Sequence, residues 1–323
     1  MNPIVSIRNL SISYPGAGAR SAVKHINMDI LPGQAVGLVG ESGCGKTTLA
    51  LALMGMLPPG CDHRGEIIIS GQKVDFYQRP GQPSARDHCA MIFQNPQTSL
   101  NPVISIGTQI NRIIQRYSRL KKSAIPDRLA ELLMLVGLPD HCGKLYPHEL
   151  SGGMQQRVLL AMALAREASI LIADEPTTAL DAGTRLQILN LLKQLQEKQN
   201  LSLLLISHDL SAIARVCQQV AIVYQGRIVE QAPQKLIYTQ PRHPYSAGLL
   251  AAIPKIHPKR PRKLQTLLGE ANHATEQSGC GFASRCPRRE AYCEQQLPPL
   301  NATLEKNQHF ACFNPRPLPT VRK

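Results

Sequence analysis

The run Gly40-Glu41-Ser42-Gly43-Cys44-Gly45-Lys46-Thr47-Thr48 fits the spacing G-x-x-x-x-G-K-[ST]. Its glycines let the backbone wrap closely enough for several N–H groups to face a chain of phosphates. The helix expected to follow adds the positive end of its dipole. Lys46 has the reach to meet the β- and γ-phosphates, and the Thr47 hydroxyl is placed to coordinate Mg²⁺. This run is expected to bind a nucleotide.

Two further stretches carry chemistry. "ILIADEP" sets Asp174 and Glu175 directly after an apolar run. Asp174 is expected to hold Mg²⁺ through its water shell, and Glu175 to polarise an attacking water as general base. "LSGGMQQR" opens a helix with Ser151, Gly152 and Gly153, a second helix start able to receive an anion. Near the C-terminus, Cys280, Cys286, Cys293 and Cys312 follow one another at intervals of five, six and eighteen residues. A reducing compartment disfavours a disulfide reading of these thiols. Zinc ordinarily takes tighter C-x₂₋₄-C pairs. An iron–sulfur cluster tolerates wider spacing, since its corners lie several ångströms apart. Four unlinked structural thiols are the remaining reading.

The elements that must position these groups are legible as periodicity. "IVSIRNLSISY" alternates as a half-buried strand does, and "AVGLV" reads as a short buried strand ahead of the glycine loop. The helix "TTLALALMGM" follows the loop, and "GEIIIS" and "HCAMIF" are further strands. Residues 104–138 carry apolar residues at helical spacing. "ILIAD" and "LSLLLIS" flank the helix "DAGTRLQILNLLKQLQEK", and "QVAIVY" with "GRIVEQ" suggests a closing hairpin. Strands alternating with helices argue for an α/β sheet carrying a helical insertion. After "PRHPYSAGLLAAIP" the periodicity fades into a Pro-rich, polar and charged connector, so a boundary is set near residue 250. No internal repeat is present, so the chain carries one copy of the front unit.

Composition narrows the function classes. The 323 residues are 43% hydrophobic and carry a net charge of +14, ordinary for a globular chain apart from the charge. No apolar run approaches the roughly 18 residues of a membrane span, and the N-terminus shows no secretory signal. A cytosolic chain is expected, with Cys44, Cys61, Cys89, Cys142 and Cys217 reduced and incidental. From Lys255 onward, twelve Lys and Arg stand against five Glu, a balance suited to an anionic membrane surface or simply to a solvated connector. Aromatic interleaving and helix-turn-helix or RRM signatures are missing, so nucleic acid is not expected as a partner. His63, His88 and His141 show no ligand spacing and are expected at the surface.

"LSGGMQQR" ahead of "ILIADEPTTALD" resembles the ABC ATPase family. Further motifs follow in order across about residues 4–245: Tyr14 where an adenine-stacking aromatic falls, Gln94 in "IFQNP", Asp181 in "ALD" and His208 in "LISHDL". The resemblance implies an α/β P-loop NTPase, with a RecA-like core, an antiparallel β subdomain and a helical signature subdomain at about 95–165. Residues 1–250 would form this ATPase, and residues 251–323 a small Cys-rich extension. It further implies ATP and Mg²⁺ as cofactors, with Mg²⁺ held through Thr47, Gln94 and Asp174. His208 would meet the γ-phosphate, Gly152 and Asp181 would be ATP-binding residues, and Ser151 and Gly153 would cap the ATP held by a second ATPase subunit.

"FQNPQTSLNPVISIG", "PRHPYSAGLLAAIP" and the closing pattern "GCxFxxRCP…C…C" resemble the importer group for dipeptides, oligopeptides and nickel. For Cys280, Cys286, Cys293 and Cys312 the resemblance implies a [4Fe–4S] cluster. As partners it implies a second ATPase, two permease subunits and an extracytoplasmic solute-binding protein, with this chain peripheral on the cytoplasmic face of the inner membrane. Nickel or metallophore uptake, and a soluble ABC ATPase acting on nucleic acid or ribosomes, are the alternatives to peptide import.

Overall fold

The computed structural model describes residues 2–16, 21–76, 85–94, 96–253, 278–303 and 307–317. β1 (Val5–Ser13) and β2 (Ser21–Ile30) pair antiparallel, and β3 (Ala35–Val39) leads through the glycine loop into α1 (Lys46–Leu53). β4 (Asp62–Ile69) and β5 (Gln72–Lys73) complete a four-stranded sheet of order β2-β1-β4-β5. β6 (Cys89–Ile92) precedes four helices, α2 (Pro96–Ser99), α3 (Ile106–Tyr117), α4 (Ile125–Leu135) and α5 (Gly152–Leu164). The chain then runs through β7 (Ile170–Asp174), α6 (Ala182–Gln199), β8 (Ser202–Ser207), α7 (Leu210–Val216), β9 (Gln219–Tyr224) and β10 (Arg227–Pro233). α8 (Gln234–Thr239) and α9 (Pro244–Ala251) follow, then α10 (Tyr292–Gln295), β11 (Asn301–Thr303) and β12 (Gln308–Phe310).

The second sheet has eight strands in the order β11-β12-β10-β9-β3-β8-β7-β6. Its middle is parallel: β9 with β3, β3 with β8, β8 with β7 and β7 with β6. β3, β7 and β8 are buried at every residue, as near-continuous apolar strands covered on both faces should be. Successive side chains alternate between two cores. Leu203 and Leu205 pack with the helices, while Leu204 and Ile206 pack toward α1 and the antiparallel sheet. α3 places Ile106, Ile110 and Ile114 on its buried stripe. The helical expectation for 104–138 thus resolves into α3 and α4, and β9–β10 is the expected antiparallel hairpin.

The segment beyond residue 250 continues the same sheet. β12 pairs with β10 through Glu230↔Phe310 and Gln231↔His309, and β11 adds one more strand outside it. Phe282, 1% exposed, belongs to the helix-side core of the ATPase part. A polar extension of this size cannot enclose a core of its own; here it borrows one. Most of the expected connector, including the basic stretch from Lys255 to Arg262, lies outside the described residues.

Two surface expectations need correction. His63 is half-buried against the Phe76 ring at 4.3 Å, and His88 is half-buried with Nδ1 3.4 Å from the Ser169 hydroxyl; His141 is exposed as expected.

Candidate functional site

The glycine loop leaves the C-terminal end of β3, where ligands of parallel α/β sheets gather. Its geometry admits only glycine at two points. Gly45 caps α1 at φ 101°, and a Cβ there would stand 2.2 Å from the Ala22 carbonyl oxygen; one on Gly40 would stand 2.3 Å from that of Val223. Ser42, Gly43 and Thr47 are exposed at the loop crest, while Lys46 is 6% exposed. Lys46 Nζ donates to the carbonyls of Gly40 and Glu41 at 2.8 Å each and lies 3.6 Å from the buried Cys44 Sγ. An ammonium held by carbonyls inside its own loop is pre-placed for a phosphate that arrives over it. Beside α1, the Tyr14 and Thr48 hydroxyls are 3.0 Å apart, which puts the half-buried Tyr14 ring next to the loop.

β7 and β8 deliver the acidic groups. Thr47 Oγ1 donates to Asp174 Oδ2 at 2.9 Å, and Asp174 is 5% exposed. Burial pushes the Asp174 carboxyl above its ordinary range; the Thr47 bond and Lys46 oppose the rise and the Glu175 charge adds to it. Among the described residues no group of three or more His, Cys, Asp or Glu could hold a metal ion. One hydroxyl beside one carboxylate nevertheless fits Mg²⁺, which keeps most of its waters and takes few protein oxygens.

Glu175 follows with φ at 47°, a left-handed backbone unusual for glutamate, and its N–H donates to the Ile206 carbonyl at 2.9 Å. Three side chains converge on its carboxylate: His208 Nδ1 at 3.0 Å, Thr178 Oγ1 at 2.8 Å and Gln94 Nε2 at 3.2 Å. Burial raises the Glu175 pKa, but the His208 and Thr178 bonds and the His208 and Lys46 charges outweigh it and hold the carboxyl below its ordinary range. An ionised carboxylate beside the phosphate loop can accept a proton from water.

Ser151, Gly152, Gly153 and Asp181 lie elsewhere, at the starts of α5 and α6. The Ser151 hydroxyl caps α5 by accepting from Met154 N at 3.3 Å, and Asp181 caps α6 by accepting from Thr184 N at 3.0 Å. Gly153 lets the two helices touch, since a Cβ there would stand 2.4 Å from Thr184 Cγ2. Ser151 and Gly152 are exposed, so the start of α5 is open to solvent.

Three residues escape sequence reasoning. Arg285 donates through both Nη atoms to the Glu41 carboxylate at 2.9 and 3.0 Å and from Nη1 to the Tyr224 hydroxyl at 3.3 Å. Tyr245, fully buried, accepts from the Glu41 N–H at 3.1 Å. Thr178 is the third. "SRCP", "HPYS" and "EPTT" contain them, but only the fold supplies their partners.

The free thiols Cys280, Cys286, Cys293 and Cys312 line one small cavity beside Phe282. Burial and the other three thiols push Cys312 up to about 11. No three of them are gathered as a single metal ion requires.

The loop, the two carboxylates and the parallel sheet define a P-loop nucleotide-binding protein. The ABC transporter family matches residues 23–178, and the family described as the oligopeptide/dipeptide transporter C-terminal region matches residues 229–293. The dipeptide transport ATP-binding protein DppD of Bacillus subtilis is 37% identical, covering 96% of this chain and 93% of its own. The oligopeptide transport ATP-binding protein OppD of the same organism is 39% identical, covering 92% and 85%. Among solved structures, CbiO1 of Clostridium perfringens, part of the ABC transporter complex CbiONQ, superposes with a TM-score of 0.65 at 27% identity, over 74% of this chain and 92% of that one. The ATP-binding cassette MJ0796, in a dimeric post-hydrolysis state with ADP and Pi, gives 0.61 at 26% identity over 71% and 98%. The chain belongs to the ABC transporter ATPases, in the dipeptide and oligopeptide transporter family. It is an ATP-binding subunit of an ABC transporter complex.

Proposed function

We propose that this subunit hydrolyses ATP to drive peptide import across the inner membrane, seated on its cytoplasmic face. No helix among the described residues is long and apolar enough to cross a membrane; in this reading two permeases, fed by an extracytoplasmic solute-binding protein, pass the cargo. The observation that carries the reading is the convergence of Lys46, Thr47, Asp174, Glu175, Gln94 and His208 at one end of the parallel sheet.

In this reading the Gly40–Thr48 loop wraps the phosphates, Lys46 meets the β- and γ-phosphates, and Tyr14 stacks on adenine. Thr47, Gln94 and Asp174 hold Mg²⁺, which supplies charge neutralisation on the phosphates. Glu175 takes a proton from water as its oxygen bonds to the γ-phosphorus; the bond to the β-phosphate oxygen breaks, and ADP and phosphate leave. Gln94 and His208 orient Glu175, and His208 turns toward the γ-phosphate when ATP is present. Ser151, Gly152, Gly153 and Asp181 serve the site of a second ATPase chain, which the exposed start of α5 and the dimeric state of the MJ0796 cassette support.

Peptides are the proposed cargo because the relatives named for dipeptide and oligopeptide transport are matched along nearly the whole chain. Co-purification with permeases, and ATP turnover raised by a peptide-loaded binding protein, test this. Turnover raised instead by nickel or a metallophore, or RNA-bound protein with no permease, would overturn it. As a finer part of the same reading, Cys280, Cys286, Cys293 and Cys312 hold a [4Fe–4S] cluster that braces the extension. What favours it is that all four line one cavity. Iron and acid-labile sulfide in anaerobically purified protein would bear it out, and stoichiometric zinc without iron would end it.

A further inference from the structure

Glu41 is the first side chain of the phosphate loop, and it is held from three directions. Its carbonyl receives Lys46 Nζ at 2.8 Å, its N–H donates to the buried Tyr245 hydroxyl, and its carboxylate is forked by Arg285. Arg285 lies 244 positions along the chain, one residue before Cys286, and its side chain is only 6% exposed. The turn that presents it, Ala283–Arg285, is closed by Arg285 N donating to Phe282 O at 3.0 Å and Cys286 N to Ala283 O at 3.2 Å. Phe282 anchors that turn between Tyr224 and Tyr245, with ring centroids 5.4 Å from each. The guanidinium also sits 5.9 Å from the Tyr224 ring centroid.

Two physical consequences meet at this pair. A carboxylate in a loop built to take polyphosphate repels the ligand unless a cation neutralises it. A planar bidentate fork also fixes the direction of the Glu41 backbone, whose carbonyl is one of the two that place Lys46. We propose that Arg285 is a positioning residue for ATP: the Cys-bearing extension neutralises and orients Glu41, and so sets the affinity of the phosphate loop. The nucleotide-loop reading above is the premise on which this rests.

The test titrates a non-hydrolysable ATP analogue with Mg²⁺ into the full chain. Arg285→Gln is expected to raise Kd roughly tenfold, since it strands a carboxylate in a loop that must take an anionic ligand through a largely screened dielectric. Arg285→Lys keeps the charge but not the fork and should fall between. Glu41→Gln combined with Arg285→Gln removes the stranded charge and should return Kd to within about threefold of wild type, a rescue that general loosening of the fold would not give. Should Arg285→Gln fail to fold, Arg285→Lys and the double variant carry the test. Wild-type affinity in Arg285→Gln, or a double variant as weak as the single one, overturns the inference alone. A wild-type chain that binds no analogue overturns it together with the nucleotide reading.

Discussion

Truncating Phe282 to Ala separates an extension that is merely attached from one that is part of the ATPase. Phe282 is 1% exposed and meets Tyr224 edge-on at an interplanar angle of 85°, with Tyr245 and His243 on its other sides. Removing a fully buried phenyl ring leaves a cavity and forfeits the aromatic contacts, for a cost of about 3–5 kcal/mol. Phe313, 36% exposed and touching Tyr292 in the same extension, is the matched control; its truncation should cost about 1 kcal/mol or less, as surface changes do. Urea unfolding followed by far-ultraviolet circular dichroism reads both variants across the whole chain. Because Tyr245 holds the Glu41 N–H, Phe282→Ala should also weaken ATP binding under conditions where it remains folded. A stability loss below about 1 kcal/mol, with unchanged ATP affinity, would refute the claim that the extension completes the core and braces the loop.

Other outcomes follow from single residues. Gly45→Ala, at φ 101° with a backbone oxygen 2.2 Å from the new Cβ, should abolish ATP binding or folding; Gly43→Ala, at φ 78° in open space, should cost only about 1–2 kcal/mol of strain, read by thermal melting. Lys46→Ala should lower ATP affinity by about tenfold or more in equilibrium titration, since it removes the ammonium held by the loop carbonyls of Gly40 and Glu41. Burial depresses the His243 pKa from 6.5 to about 3. The unfolded chain therefore binds the extra proton between those values, and stability is complete above about pH 6.5 and falls as pH drops toward 3, by up to about 1.4 kcal/mol per unit. His243→Asn keeps an N-cap acceptor for α9, whose Tyr245 N–H the histidine ring now receives at 3.1 Å. Its urea midpoint should therefore shift less than that of wild type between pH 7 and 5; equal shifts would contradict the assignment.

The site divides sharply into what local sequence encodes and what it does not. The Gly40–Thr48 loop is legible because glycine spacing dictates its backbone, and the "ILIAD" strand because a buried parallel strand has no polar face to show. Asp181 and Ser151 are recognisable as helix starts, although the bonds they make are caps and not contacts with their own chain's phosphate loop. β11 and β12 are three residues each, too short to display a period, and exist because β10 offers an edge. The Arg285–Glu41 pair spans most of the chain, and nothing in "SRCP" names its partner. His63 and His88, both half-buried, mislead for the same reason: the Phe76 and Ser169 they meet come from other segments.

The most direct measurement is ATP turnover by Glu175→Gln set against its ATP affinity. The substitution preserves shape and one oxygen to accept from Thr178 and Gln94, while the base is lost together with its charge and the acceptor facing His208. Turnover should fall about a hundredfold or more, with ATP bound as tightly as by wild type and pairs of chains accumulating around the unhydrolysed nucleotide. Turnover at the wild-type rate would contradict the account at its centre.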